Sequence, residues 1–317
     1  MPCPPTGGDG LGAELKIFTA QELQQADPQP PQFMIDRILP AGFVILEAPP
    51  KIGKSWLSLA MADAVAEGLP FWGFETVKGS VLYLGLEDSG YRLNSRLKAI
   101  GSRMPPNLHL AIHGAETIGA GLVEQMGQGA DAHSDARLIV IDTLGRVKGI
   151  GRPGMNAYEN DTAIFSPLQR FAVKRGLCVV GVSHFSKAKN IPDVDPFERI
   201  TGSVGAFGAA DGAWVLYGKR GEEQRLLITG RDIQDADLKV KFHDGIWEML
   251  GNSEELEKQR VLDEYRRSGL AKTIRAMVHE QGIWDCTASQ LLEALYQREK
   301  DFTITNTRDL GKYIRQY

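Results

Sequence analysis

The run Glu47-Ala48-Pro49-Pro50-Lys51-Ile52-Gly53-Lys54-Ser55 follows a short apolar stretch and opens an amphipathic segment. A glycine, a lysine and a hydroxyl in consecutive positions at the mouth of a helix are the groups a bound triphosphate requires. Gly53 lets backbone amides approach the phosphates, the Lys54 ammonium can reach the β- and γ-phosphates, and the Ser55 hydroxyl can ligate Mg²⁺. The positive end of the following helix adds to the cradle. Ala48 replaces the first glycine of the G-x-x-x-x-G-K-[ST] pattern, so the turn must be one that a Cβ permits, held by Pro49 and Pro50. The expected ligands are ATP and Mg²⁺, and the candidate binding residues are Ala48, Pro49, Pro50, Lys51, Ile52, Gly53, Lys54, Ser55 and the adjacent Trp56.

Hydrolysis would further need an acid on the metal side, a base for the attacking water and a group that senses the γ-phosphate. Three other apolar runs end in such groups. Leu138-Ile139-Val140-Ile141 ends in Asp142, which would act with Ser55 on Mg²⁺. The run 81–86 ends in Glu87, a candidate general base with Asp88 as the second choice; a carboxylate there also suits a helix cap. The run 177–183 ends in His184, fitting either a γ-phosphate sensor or a hydrogen-bonded core histidine. In an open parallel sheet all of these fall at the carboxyl ends of strands, where ligands bind.

The elements that must position them are an alternation of strands and helices. Residues 43–46, 80–86, 108–112, 138–141 and 177–182 read as buried strands, with helices over 54–67, 91–100, 121–128 and 158–175. After residue 201 the rhythm changes to short strands at 213–217, 225–229, 238–242 and 245–249, which as hairpins extend the sheet edge. Residues 1–32 are a Pro-, Gly- and Gln-rich arm with at most one short helix near 19–25. Residues 33–250 form the core, and 251–317 a helical module: a charged bridge at 252–260, then helices at 270–280, 287–296 and 308–314.

The chain has 317 residues, 43% of them apolar, enough for one sizeable core with a smaller appendage. A net charge of −4 provides no global basic field, so nucleic acid would have to meet local basic loops or a ring that concentrates them. Cys3, Cys178 and Cys286 are few and widely spaced, which fits a reducing compartment and makes the cytoplasm the expected location. No apolar run reaches about 18 residues, so no membrane partner is expected.

The motifs A-P-P-K-I-G-K-S-W, V-L-Y-L-G-L-E-D, R-L-I-V-I-D-T and V-V-G-V-S-H-F-S-K, followed by T-G-S-V-G-A-F-G-A-A-D-G and L-L-I-T-G-R-D, resemble in order and spacing those of RecA-fold ATPases. Within these the resemblance is to plasmid and phage replicative helicases of the RepA type, relatives of the DnaB helicases, over roughly residues 33–250. It implies an α/β fold: a RecA-like P-loop NTPase core with a mostly parallel sheet. By that resemblance Lys54 and Ser55 bind phosphate and Mg²⁺, Glu87 is the base, Asp142 the metal-side acid and His184 the γ-phosphate sensor. Arg231 falls where the family places an arginine finger that reaches into a neighbouring subunit's site; its other reading is a local surface pair with Asp232. A homo-oligomer, expected to be a hexamer, follows, with a replication initiator or primase as further partner. Thr229 stands where DnaB-type rings carry the lysine of a Lys-x-Arg pair.

In such a ring the loops after the Asp142 and His184 strands face the channel. Arg146, Lys148 and Arg152 on the first, and Lys187, Lys189 and Arg199 on the second, are the candidate contacts to single-stranded DNA, or else ordinary solvated loop charges. The segment 270–317 resembles a winged-helix or helix-turn-helix module, or is a small bundle packed on its own core. Three functions follow: an ATP-driven DNA helicase or translocase of a mobile element, a regulatory ATP switch that controls DNA binding or recruitment without unwinding, and a small-substrate kinase.

Overall fold

The computed structural model describes residues 17–151, 153–184, 204–267, 269–281, 286–298 and 304–316. Its centre is a nine-stranded sheet in the order β11-β10-β9-β8-β3-β7-β6-β4-β5. The strands are β3 (Gly42–Ala48), β4 (Ser80–Gly85), β5 (Leu108–Ala111), β6 (Ala136–Asp142), β7 (Cys178–His184), β8 (Gly212–Gly218), β9 (Glu223–Gly230), β10 (Ile233–His243) and β11 (Ile246–Asn252). From β5 to β8 every pairing is parallel, and from β8 to β11 every pairing is antiparallel. A two-stranded ribbon, β1 (Phe33–Ile35) with β2 (Leu39–Pro40), lies against the core.

The central strands read as unbroken apolar runs because both faces are covered. Alternate residues go to opposite sides. Val44, Leu46, Leu138, Val140, Val180 and Val182 face one apolar layer with α2 (Lys54–Glu67) and α3 (Gly90–Ala99). Phe43, Ile45, Ile139, Ile141 and Val179 face the other, which contains residues of α4 (Val123–Asp131), α5 (Leu144–Val147), α6 (Ala157–Arg175) and α7 (Val204–Ala209). α6 starts at an Asn156 cap that bonds the Glu159 amide while Glu159 returns to the Asn156 amide, and it ends at left-handed Gly176.

Several expectations shift by a few residues for identifiable reasons. The helix expected from residue 121 begins at Val123, because Gly121 has φ +135° inside the turn Ile118–Leu122. The strand expected at 238–242 extends over Ile233–His243, since pairing on both sides lengthens it beyond its apolar stretch. The charged bridge is itself a helix, α8 (Ser253–Arg267), whose first turn carries Glu254 and Glu255, favourable beside the positive helix end. α1 (Ala20–Ala26) in the N-terminal arm is capped by Thr19 and buries none of its residues.

At the C-terminus α9 (Gly269–Gln281), α10 (Ala288–Arg298) and α11 (Thr307–Gln316) share a small apolar cluster around Met277, Leu295 and Leu310. No strand that could form a wing follows Asn252 among the described residues. No helix among the described residues is long and apolar enough to cross a membrane.

At the amino ends of the central strands, Asp211 joins three elements. One carboxylate oxygen accepts the Phe43 amide at 3.0 Å, and the other accepts Gln169 Nε2 at 3.1 Å and Arg231 Nη1 at 3.2 Å. Gly42, at φ +125°, leaves room for it, since a Cβ there would stand 2.6 Å from the carboxylate. Asp211→Ala strands a buried amide inside the sheet, so it is expected to lower stability by about 2 kcal/mol, read as a lower urea midpoint at unchanged slope.

Candidate active site

Parallel register brings the predicted residues to one edge. Ala48 pairs with His184, and Asp142 with Gly85 and Val182, so β3, β7, β6 and β4 all end at the same level. Leu86 continues from β4 by donating its amide to the Asp142 carbonyl at 2.8 Å, which sets Glu87 next to the end of β6. The phosphate-loop candidate leaves β3 there. Ala48 is fully buried as the last strand residue, and its Cβ is accommodated without a left-handed turn at that position. The sharp steps fall instead at Lys51, φ +63°, and Gly53, φ +106°. α2 follows with most of its residues in the core, which anchors its first turn.

Lys54 is 6% exposed, and its Nζ lies 2.7 and 2.8 Å from the two ring nitrogens of His184. His184 is the last residue of β7 rather than the first beyond it. Burial lowers the Lys54 pKa from its ordinary value, with the charges of Asp142 and Glu87 opposing. Burial, then the neighbouring ammonium, lowers that of His184, while Glu87 opposes. Each group therefore feels the others electrostatically, and a neutral imidazole accepts a hydrogen bond from the ammonium.

Asp142 is 3% exposed. Burial raises its pKa, while the Ser55 and Tyr83 hydroxyls and the Lys54 charge pull it down. The Tyr83 hydroxyl donates to Oδ2 at 2.9 Å and contacts Ser58 Oγ at 3.1 Å. Ser55 lies close enough to act on the carboxylate, yet Oδ1 is buried with no partner at hydrogen-bond geometry. An unsatisfied carboxylate oxygen beside a hydroxyl is a donor set suited to a hydrated Mg²⁺.

The two acidic candidates after β4 separate clearly. Asp88 is paired with both Arg92 and Arg96 and is almost covered. The Glu87 side chain is 45% exposed, and its Oε1 accepts Thr143 Oγ1 and Arg146 Nε, each at 3.3 Å. Arg146, a candidate DNA contact, thus also borders the candidate base. Lys148 pairs with Asp161 on α6 and lies 6.0 Å from the Phe165 ring centroid. Arg152, Lys187, Lys189 and Arg199 lie outside the described residues.

Arg231 sits in the β9–β10 turn, next to the start of β8, where Gly212 pairs with Gly230. That is the opposite end of β3 from the phosphate loop, on the order of 20 Å away along a seven-residue strand. Its ion-pair partner is Asp211, not the adjacent Asp232, and its side chain remains 63% exposed.

Three residues at this edge escaped sequence reasoning: Tyr83, Thr143 and Trp247. Tyr83 is the one aromatic residue in an otherwise aliphatic strand, a faint signal. Trp247 comes from β11, far along the chain, and no local pattern could place its indole on the phosphate loop. Trp56 is enclosed by Phe242, with ring centroids 5.9 Å apart, and by the Arg96 guanidinium at 5.4 Å.

The chain belongs to the AAA domain family, whose profile matches residues 13–190. It is also similar to the ATPase domain of G40P at 15% identity and a TM-score of 0.56, over 66% of this chain and 85% of that one. A DnaB-like replicative helicase, solved with its interactions with primase in view, is similar at 14% identity and a TM-score of 0.51. That match covers 65% of this chain and 58% of the helicase, so the chain spans less than two thirds of it. No curated protein matches the chain. The fold is therefore the RecA-like α/β fold of helicase ATPase domains.

The folded site favours neutral His184, so the unfolded chain takes up a proton first as pH falls. The resulting contribution to stability is complete above the ordinary value of 6.5 and disappears as pH drops through the lower folded value. NMR titration of the nucleotide-free protein is expected to place the His184 midpoint below 6.5, and Lys54→Met to raise it.

Proposed function

We propose that the chain is an ATP-dependent DNA helicase or translocase of a mobile element, acting in replication as a homo-oligomeric ring. The observation that carries this reading is the separation of Arg231 from its own Lys54, His184, Glu87 and Asp142. A transition-state cation is needed where charge spreads over the γ-phosphoryl oxygens. An exposed arginine at the far end of the sheet can serve that need only in another copy's site. Repetition of such a head-to-tail contact closes into a ring, for which we propose six subunits.

Within one site, Lys54 holds the β- and γ-phosphates, and the amides of residues 51–55 surround them. Ser55 and, through water, Asp142 would hold Mg²⁺, which would supply positive charge against that developing on the phosphate oxygens. Glu87, oriented by Thr143 and Arg146, takes the proton of the attacking water. His184, already bonded to Lys54, senses whether the γ-phosphate is present. Arg146, on the short helix α5, belongs to the segment after β6 proposed to meet single-stranded DNA, so a DNA phosphate that draws it away changes the setting of Glu87. A primase or replication initiator is the proposed protein partner, and the cytoplasm the proposed location.

A second reading, a regulatory ATP switch without unwinding, is favoured by Thr229. Its hydroxyl bonds Asp235 at 2.6 Å, and the second cation of a Lys-x-Arg pair is missing at this position. Lys148, committed to Asp161, also weakens the DNA-facing charge.

Strand displacement on a forked duplex separates the readings. Unwinding with ATP is expected for the wild type and abolished in Lys54→Ala and Arg231→Ala. Mixing those two variants is expected to restore partial hydrolysis, because interfaces that join the intact loop of one to the intact arginine of the other can then form. ATP-dependent assembly without displacement would establish the switch instead, and hydrolysis indifferent to Arg231 would remove the trans arginine.

A further inference from the structure

The aromatic group at β11 contacts the phosphate loop through its backbone. Trp247 is 5% exposed, and its indole Nε1–H donates to the Gly53 carbonyl at 2.9 Å. The same carbonyl accepts the amides of Trp56 at 3.0 Å and Leu57 at 3.1 Å, which start α2. The indole also fills the space in front of Gly53, where a Cβ would meet it at 3.1 Å. The indole is braced in turn. Trp72 Nε1–H donates to the Trp247 carbonyl at 2.9 Å, Phe242 packs against its ring at 5.1 Å, and Gly245 lies tight against Trp56.

In a trans peptide the carbonyl and the following amide N–H point in opposite directions. Three donors that fix the Gly53 carbonyl on the helix side therefore aim the Lys54 amide N–H away from the helix, toward the cradle at its N-terminus. Gly53, at φ +106°, is in a region that only glycine visits freely, so its peptide planes have alternatives that this bond removes.

We infer that Trp247 is a positioning residue for the nucleotide site: its indole N–H locks the Gly53–Lys54 peptide in the phosphate-binding orientation, making the β10–β11 hairpin part of that site. The inference rests on the nucleotide-binding reading above. Without the lock the loop spends only part of its time in the competent state, and apparent affinity falls by that fraction.

The test is calorimetric titration of the full chain with a non-hydrolysable ATP analogue and Mg²⁺, alongside melting of the nucleotide-free protein. Trp247→Phe keeps an aromatic ring but loses the donor, and is expected to raise the apparent Kd about tenfold. Trp214→Phe removes a buried indole donor, to the Ile38 carbonyl at 3.0 Å, that belongs to neither the loop nor the hairpin, and is expected to bind within about twofold of the wild type even where its Tm falls equally. Equal affinity losses in the two variants, or wild-type affinity in Trp247→Phe, would overturn the inference. If Trp247→Phe does not fold, hydrogen exchange on the wild type decides. Residues 246–252 are expected to gain protection when the analogue binds, and unchanged exchange there would refute the lock. A wild-type protein that ignores the analogue would instead overturn the nucleotide-binding reading itself.

Discussion

Parallel pairing of β3, β7, β6 and β4 is the constraint on which the rest depends. Parallel strands in register must all finish at one edge, and here β6 and β7 finish on Asp142 and His184 while β3 and β4 lead to Lys54 and Glu87. The covalent chain separates Lys54 from His184 by 130 residues, yet one step across the sheet, from Ala48 to His184, brings them into hydrogen-bond contact. The same geometry sends Arg231 to the other edge, because β9 runs antiparallel to β8 and its turn into β10 returns to the start of β8.

Burial then sets the electrostatics of that edge. Asp142 and Lys54 are held where water is scarce, so each feels its neighbours more strongly than it would at the surface. Burial alone would neutralise Asp142 and Lys54; the opposite charge on each, with the Tyr83 hydroxyl on Asp142, counters that tendency. Glu87 lies at the rim and remains open to solvent, as its proposed role toward a water requires. The site therefore grades from a covered carboxylate, Asp142, to an exposed one, Glu87, within adjacent strand ends.

The candidate phosphate loop is supported from outside its own motif. Ala48 replaces a glycine without distortion because the strand is still extended there, and the left-handed steps are moved to Lys51 and Gly53. Support for Gly53 comes from a hairpin at the far side of the sheet, through Trp247. Replacement of one motif glycine is thus tolerated by backbone position, and the freedom left in the other is restrained by packing.

By itself the sequence determined the strand–helix alternation, the four strands whose ends or following turns carry Lys54, Glu87, Asp142 and His184, and the C-terminal helices. These are legible because buried parallel strands are continuous apolar runs and because the motif residues stand at their ends. Only the tertiary structure decided the rest. It chose Glu87 over Asp88 as the open carboxylate, by supplying Arg92 and Arg96 to the latter. It committed Lys148 to Asp161, gave Arg231 to Asp211, and set Trp247 on the phosphate loop. Those outcomes depend on contacts between elements distant in the chain, and residue spacing carries no record of which side chain a distant element will bring.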